Sequence, residues 1–167
     1  MVGTEPAAPM PVDAARVKGS RVLIVRSPYY QAIAQSLTRG ATEVLEKHGI
    51  GYDIVDVPGA LEIPQALGLA VALGRFGDAG FTGAIALGCV IRGETTHYEI
   101  VSENANHWLM DLAVGHAIPL GNAILTVETM DQAVARADGE HGGKGAEAAR
   151  ACLALMAYAA AFGNDEE

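Results

Sequence analysis

The stretch Gly88-Cys89-Val90-Ile91-Arg92-Gly93-Glu94-Thr95-Thr96-His97-Tyr98 sets a guanidinium (Arg92), two hydroxyls (Thr95 and Thr96) and an imidazole (His97) within a few residues of one another. Ahead of it, Thr82-Gly83-Ala84-Ile85-Ala86-Leu87 is a short apolar run of strand type, and a helical pattern begins near Thr96. A buried strand therefore runs into a glycine-flanked turn that opens a helix. In open α/β sheets, ligands collect beyond the carboxyl ends of strands. Free N–H groups at a helix start receive anions, and an imidazole beside them can move protons near neutral pH. The plainer alternative is a threonine-capped helix with a surface histidine.

Other polar and aromatic residues fall at comparable places. Tyr29 and Tyr30 follow the first expected strand, and Pro58-Gly59-Ala60-Leu61-Glu62 follows the second. Asn122 lies in the fourth. An aromatic plane, a carboxylate, an amide, an imidazole and glycine-adjacent backbone amides together suit a flat, polar heterocycle. Taken singly, Tyr29 reads equally as a surface aromatic before a helix, and Glu62 as a residue favourable at a helix N-terminus. Arg136 and Lys144 flank Gly139-Glu140-His141-Gly142-Gly143, a loop that resembles anion-binding design. It lacks P-loop spacing, so a nucleoside triphosphate is not implied. An ordinary loop with solvated charges is the alternative there.

These residues need a scaffold, and the chain supplies a regular one. Residues 1–19 hold three prolines and no sustained period, and read as a mobile arm. A strand is expected at Arg21–Arg26 and a helix from Tyr29 to His48, apolar at Ile33, Leu37, Ala41, Val44 and Leu45. A second strand follows at Tyr52–Val57. A helix then runs from Glu62 to about Arg75, with Leu67, Ala70, Val71 and Leu73 inward. The third strand and the opening turn lead into a helix from Thr96 to about His116, carrying Ile100, Val101, Trp108, Leu109 and Leu112. Ala117–Val127 contains a fourth strand interrupted by Gly121-Asn122. A short helix at Thr129–Asp138 and a long, alanine-rich helix from Lys144 to about Phe162 complete one domain, residues 20–163, before an acidic tail, residues 164–167. Strands alternating with helices imply a parallel sheet covered on both faces. The expected fold class is α/β: a three-layer α/β/α sandwich, flavodoxin-like, with a parallel four-stranded sheet. The alanine-rich helix carries more apolar surface than one small sheet needs, which points to a like subunit as partner.

Composition narrows the function. The 167 residues suit one domain with a real core, and a net charge of −9 argues against nucleic acid. No Lys or Arg occurs between Gly93 and Ala135; only Arg136, Lys144 and Arg150 follow. Cys89 and Cys152, both in apolar contexts, read as buried thiols of a reducing compartment. Neither pairs with a histidine at metal-ligand spacing, so no metal is expected. No signal-peptide pattern is present, and no apolar run reaches the roughly 18 residues of a membrane helix. A cytoplasmic protein without membrane contact is expected. A phosphoreceiver domain would need acidic residues where Arg26 and Ser27 stand; a flavodoxin would need a Ser/Thr-rich loop where Pro28 and two tyrosines stand.

Gly88-x-Val-Ile-Arg-Gly-x-Thr-Thr-His-Tyr98, preceded by Pro58-Gly-Ala-Leu-Glu-Ile-Pro64, resembles the lumazine synthase family. Ile124-Leu-Thr-Val-Glu128, Gln132-Ala, Arg136-Ala and Gly143-Lys144-Gly145 continue the likeness over about Arg21 to Phe162. The resemblance implies condensation of 5-amino-6-(D-ribitylamino)uracil with 3,4-dihydroxy-2-butanone 4-phosphate to 6,7-dimethyl-8-ribityllumazine, the penultimate step of riboflavin biosynthesis, with no cofactor. A riboflavin- or lumazine-storing paralogue of low turnover is the alternative. It also implies sites between the subunits of a homopentamer. Proline in the arm is ill suited to a neighbour's sheet, which favours the free pentamer over a 60-subunit shell, although the Ala137–Lys144 loop has no insertion against a shell.

By the same resemblance, Tyr29 takes the place of the ring stacked on the pyrimidine, and Ala60, Leu61 and Glu62 contact that substrate and its ribityl chain. Cys89, Val90 and Ile91 line the heterocycle pocket. Glu94 and Thr95 occupy the turn that receives the butanone phosphate, and His97 is the general acid/base. Asn122 meets the ring from the neighbouring subunit, Arg136 holds the phosphate, and Lys144 lies in the following loop. Tyr29, Leu61 and Asn122 depart from the residues common in the family, which implies weaker stacking on the pyrimidine.

Overall fold

A computed structural model describes residues 8–163. Residues 1–7 of the expected arm and the expected acidic tail lie outside the described residues. In order, the elements are α1 (Ala14–Val17), β1 (Arg21–Arg26), α2 (Gln31–Lys47), β2 (Gly51–Asp56), α3 (Glu62–Ala72), β3 (Gly83–Ile91), α4 (His97–Gly115), β4 (Leu120–Val127), α5 (Met130–Ala137), a 3₁₀ turn (Glu140–Gly142) and α6 (Gly143–Gly163). The four strands are all parallel, in the order β2-β1-β3-β4. The fold is a three-layer α/β/α, flavodoxin-like sandwich.

β1 explains the layering. Val22 and Ile24 join one core cluster with Ile33, Leu37, Leu45 and Leu153 of α2 and α6, whereas Leu23 and Val25 join another with Ile63, Leu67 and Leu109 of α3 and α4. A central strand buried on both faces must be apolar at consecutive positions, as Val22–Val25 are. The chain order reverses between β1 and β3, and the crevice at that switch point is where the fold receives ligands.

Several elements differ from the sequence reading. β3 does not end near Leu87: Gly88, Cys89, Val90 and Ile91 stay in the ladder, paired with Ile124, Leu125, Thr126 and Val127. Gly88 is a close-approach position, since a Cβ there would lie 3.2 Å from Ile63 Cδ1. β4 is likewise unbroken. Gly121 does not interrupt it; a Cβ at Gly121 would lie 1.9 Å from the Ala148 carbonyl oxygen, so the glycine admits α6 onto the strand. Within the stretch read as an arm, Ala14–Val17 forms one helical turn, and Val17 is buried. Leu73, expected inward, is 75% exposed. α6 buries Ala146, Ala148, Ala149, Cys152, Leu153 and Met156 inside its own subunit and leaves Leu155, Tyr158 and Phe162 exposed, so it does carry apolar surface beyond the core. Apolar side chains are also exposed on α3 and α4, at Leu69, Ile100, Trp108, Met110 and Val114.

Among the described residues, no helix is long and apolar enough to cross a membrane.

Candidate active site

Three strand ends converge on one cleft of about 480 Å³. β1 delivers Ser27, Tyr29 and Tyr30. The Ser27 N–H donates to the Leu87 carbonyl at 2.9 Å, tying the end of β1 to β3, and Ser27 itself is buried. Tyr29 is 73% exposed, and its ring meets that of Tyr30 edge to face, with centroids 5.0 Å apart. An aromatic face this open to solvent is free to take a planar ligand.

β2 leads into the turn Pro58–Leu61. The Glu62 N–H donates to the Gly59 carbonyl at 3.2 Å, which closes the turn and starts α3 at Glu62. Ala60 is buried beneath, and Leu61 and Glu62 face the cleft half-buried. A carboxylate at a helix start complements the helix dipole and keeps its oxygens for a ligand N–H or hydroxyl.

β3 supplies the floor through Cys89, Val90 and Ile91. Burial pushes the Cys89 thiol up to about 11, so it stays protonated and is no nucleophile at neutral pH. Beyond Ile91, the Gly93–Thr96 turn is exposed. His97 is the first residue of α4 and is exposed to the cleft. Thr96 makes no side-chain cap to the helix; the His97 N–H instead meets Thr95 Oγ1 at a long 3.4 Å. The start of α4 thus has no cap from Thr96 and only this one long contact from Thr95, and its turn is exposed.

The cleft therefore brings together Tyr29, Ala60, Leu61, Glu62, Cys89, Val90, Ile91, Thr95 and His97. Glu94 lies on the same turn without lining the cleft. Sequence reasoning gave no site role to Ser27, Tyr98 and Val101, which also line it. Arg92 plays a different part from that of a free anion receptor. Its guanidinium is committed to the carboxylates of Glu99 and Glu128 and lies over the Tyr98 ring, 4.4 Å from its centre. Hydrogen bonding to Arg92 holds the Glu99 carboxyl below the usual carboxylate range.

Arg136 and Lys144 are not in this cleft. They line a second hollow of about 710 Å³, with Gly139–His141 and Arg150. Arg136 is exposed in the last turn of α5 and donates to the Gln132 carbonyl at 3.2 Å; Lys144 donates to Glu147 at 2.7 Å. Asn122 stands apart as well. It is the third residue of β4 and pairs with Ala86, whereas the β3 residues that line the cleft begin at Cys89, paired with Leu125. Three residues of strand separate Ala86 from Cys89, roughly 10 Å at about 3.3 Å each. One chain thus presents one half of the expected site at the carboxyl ends of β1–β3 and its remaining members elsewhere.

Among the described residues, no cluster of His, Cys, Asp and Glu suited to a metal ion is present.

The chain is matched over residues 19–160 by the model of the family described as 6,7-dimethyl-8-ribityllumazine synthase. It is 51% identical to the 6,7-dimethyl-8-ribityllumazine synthase of Azorhizobium caulinodans over 140 residues, 84% of this chain and 86% of that one. The likeness to the enzyme of Beijerinckia indica is 50% over 155 residues, covering 92% of this chain and 84% of the other. The 6,7-dimethyl-8-ribityllumazine synthase 1 of Rhodopseudomonas palustris is 47% identical over 144 residues, 86% of this chain and 88% of its own length. The chain belongs to the 6,7-dimethyl-8-ribityllumazine synthase family. It is thereby placed among transferases of riboflavin biosynthesis.

Proposed function

We propose that this chain condenses 5-amino-6-(D-ribitylamino)uracil with 3,4-dihydroxy-2-butanone 4-phosphate to 6,7-dimethyl-8-ribityllumazine, in a site completed by a neighbouring copy of itself. The observation that carries this reading is the cleft in which Tyr29, Glu62 and His97 converge at the sheet's switch point. The pyrimidine lies against Tyr29 over the floor of Cys89, Val90 and Ile91, with Ala60, Leu61 and Glu62 along its ribityl chain. The butanone phosphate meets the N–H groups of the turn at Glu94 and Thr95. The substrate amine attacks the ketone carbon and loses a proton; the carbinolamine then loses water. Phosphate leaves from the four-carbon unit, and ring closure releases a second water. His97, at the mouth of the turn, serves as the base and acid for these proton transfers. Holding two substrates side by side supplies much of the remaining acceleration.

Asn122, Arg136 and Lys144 serve the neighbour's site in this scheme, and the neighbour's copies serve this one. Arg136 favours the departing phosphate by a forked contact. The separation of these residues from the cleft supports sharing, and so does the exposed apolar surface of α3 and α4. The groove between those helices, lined by Leu61, Pro64, Gly68, Ile100, Trp108 and Leu112, fits a subunit interface. The copies form a homopentamer. The absence of any pairing between Cys89 and Cys152 fits a reducing compartment, and the enzyme works in the cytoplasm. No observation favours the storage alternative.

Incubating the purified protein with both substrates and following lumazine absorbance tests the reading. Steady turnover is the expected result. Tight riboflavin binding without turnover would replace it with storage.

A further inference from the structure

We propose that Arg92 is a positioning residue: it fixes the first turn of α4, and with it the His97 imidazole, against the end of the sheet. The inference rests on His97 being the proton-transfer group of the reaction proposed above.

Three contacts carry it. The Arg92 backbone N–H donates to the Val127 carbonyl at 2.9 Å, so the residue is anchored where β3 and β4 end. Its Nε then donates to the Glu128 carboxylate, 3.0 Å from Oε1 and 2.9 Å from Oε2. Its Nη1 donates to Glu99, in the first turn of α4, and the guanidinium plane covers Tyr98. Tyr98 and Glu99 are the two residues that follow His97. The Glu128 backbone is itself held in place. Its N–H donates to Gln132 Oε1 at 2.8 Å, and the Gln132 N–H donates to Thr129 Oγ1 at 3.2 Å, the side-chain cap that starts α5.

The start of α4 lacks such a cap, and residues Gly93–Thr96 are exposed. Arg92 thus supplies from the side what the helix terminus does not supply for itself. Glu99 Oε2 is shielded from solvent and has no hydrogen-bond partner among the described residues, so the carboxylate depends on Arg92 for compensation. The ion pairs are half-exposed, with 40% of the Arg92 and 39% of the Glu99 side chain accessible. Pairs so exposed add little to global stability. Their consequence is local orientation. A lysine would keep the charge and lose both the fork and the stacked plane.

The test compares Arg92→Gln and Arg92→Lys with the unaltered full chain. Displacing a reacting group by about 1 Å costs on the order of 100-fold, so kcat should fall by about 10- to 100-fold in both variants. Melting temperature and the KM of the pyrimidine should change little. In a His97→Ala background, Arg92→Gln should add less than about a twofold further loss, because the two residues act as one unit. Imidazole NMR should show the His97 ring signals of Arg92→Gln shifted or broadened, a readout independent of turnover. Should Arg92→Gln fail to fold, Glu99→Gln removes one arm alone and should lower kcat in the same direction.

An unchanged kcat, or rescue by Arg92→Lys, would overturn the proposal. So would an equal loss in the presence and absence of His97, which would place Arg92 on the substrate. If His97→Ala itself turned over at the full rate, the role given to His97 would fail, and unmoved His97 signals in Arg92→Gln would then sink the positioning role as well.

Discussion

Asn122 donates from Nδ2 to Asn106 Oδ1 at 2.6 Å and accepts the Ile124 N–H on its own Oδ1 at 2.9 Å, on the edge strand well upstream of the cleft. Both ends of the amide are occupied, yet the residue is exposed and supports no core. Asn122→Phe should therefore cost little in folding: an exposed hydrogen bond contributes roughly 1 kcal/mol, and phenylalanine suits a strand. If Asn122 faces the neighbour's pyrimidine, the added ring should tighten binding by about 0.5–1.5 kcal/mol. Titration of riboflavin by fluorescence quenching measures this. Weaker binding by a well-folded variant would show that the amide, not a ring, is what the ligand needs.

His97→Ala should lower kcat by about 10²–10⁴-fold, the usual share of a general acid/base. Turnover should remain above the uncatalysed rate, because the cleft still holds both substrates together. Rapid-mixing absorbance, with chemistry shown to be limiting, is the measurement. An unaltered chemical step would remove His97 from the mechanism.

How much of this was legible before the structure depends on the residue. The turn from Arg92 to His97 could be read because glycine, hydroxyl and imidazole residues stood between a strand-type run and a helical one. The two-sided burial of β1 was visible as four consecutive apolar residues, Val22–Val25. Gly88 and Gly121 misled for one physical reason: a glycine that admits a neighbouring helix looks, in sequence, like a glycine that makes a turn. Leu73 and Trp108 misled because periodicity reports an apolar face without saying whether its own chain covers it. The commitment of Arg92 to Glu99 and Glu128 was hidden by distance along the chain, since Glu128 lies 36 residues away on another strand end. The distribution of site residues over two hollows was not legible from periodicity at all, as it depends on where β4 and α5 stand relative to β3.

The Cys89 thiol lies in the cleft floor, and burial raises it to about 11. On the order of one thiol in a thousand is then ionised at pH 8, against roughly a quarter for an ordinary cysteine. Iodoacetamide at pH 8 should label Cys89 at least about tenfold more slowly than free cysteine, with Cys152 slower still because it is fully buried and raised to about 12. Mass spectrometry over time gives both rates. Fast stoichiometric labelling of Cys89 near neutral pH would show an activated thiol and reopen its role.

Arg26 and Asp56 face each other across the β1–β2 ladder, with Arg26 Nε and Nη2 donating to the two Asp56 oxygens at 2.7 and 3.0 Å. The guanidinium holds the Asp56 carboxyl below the usual carboxylate range. A depressed folded-state value means the pair contributes stability above the ordinary carboxylate pKa, near 4, and loses it as pH falls through the folded value. Asp56 is half-exposed, so the contribution is below about 1 kcal/mol. Asp56→Asn should melt lower than the unaltered protein at pH 7, and the difference should vanish in strongly acidic buffer. A gap that persisted or widened on acidification would mean that the aspartate acts through packing rather than charge.

The shared site makes a prediction that no single subunit can satisfy. His97 belongs to the cleft at the carboxyl ends of β1–β3, whereas Arg136 belongs to the other hollow of the same chain. In a ring of heterologous contacts, each complete site takes His97 from one copy and Arg136 from the next. Arg136→Ala alone should raise the KM of the butanone phosphate far more than that of the pyrimidine, since a charge-assisted hydrogen bond is lost at a cost of about 1.5–3 kcal/mol. His97→Ala alone should leave the phosphate contact intact. Unfolding the two variants together and refolding them as mixed rings should regenerate about one intact site in four by random assortment, so the mixture should turn over faster than either variant. Light scattering on the same samples should give a mass near five chains, with a mass near sixty marking a closed shell. If mixing restores nothing although the rings are shown to be hybrid, or if a monomer retains full activity, His97 and Arg136 do not meet across an interface.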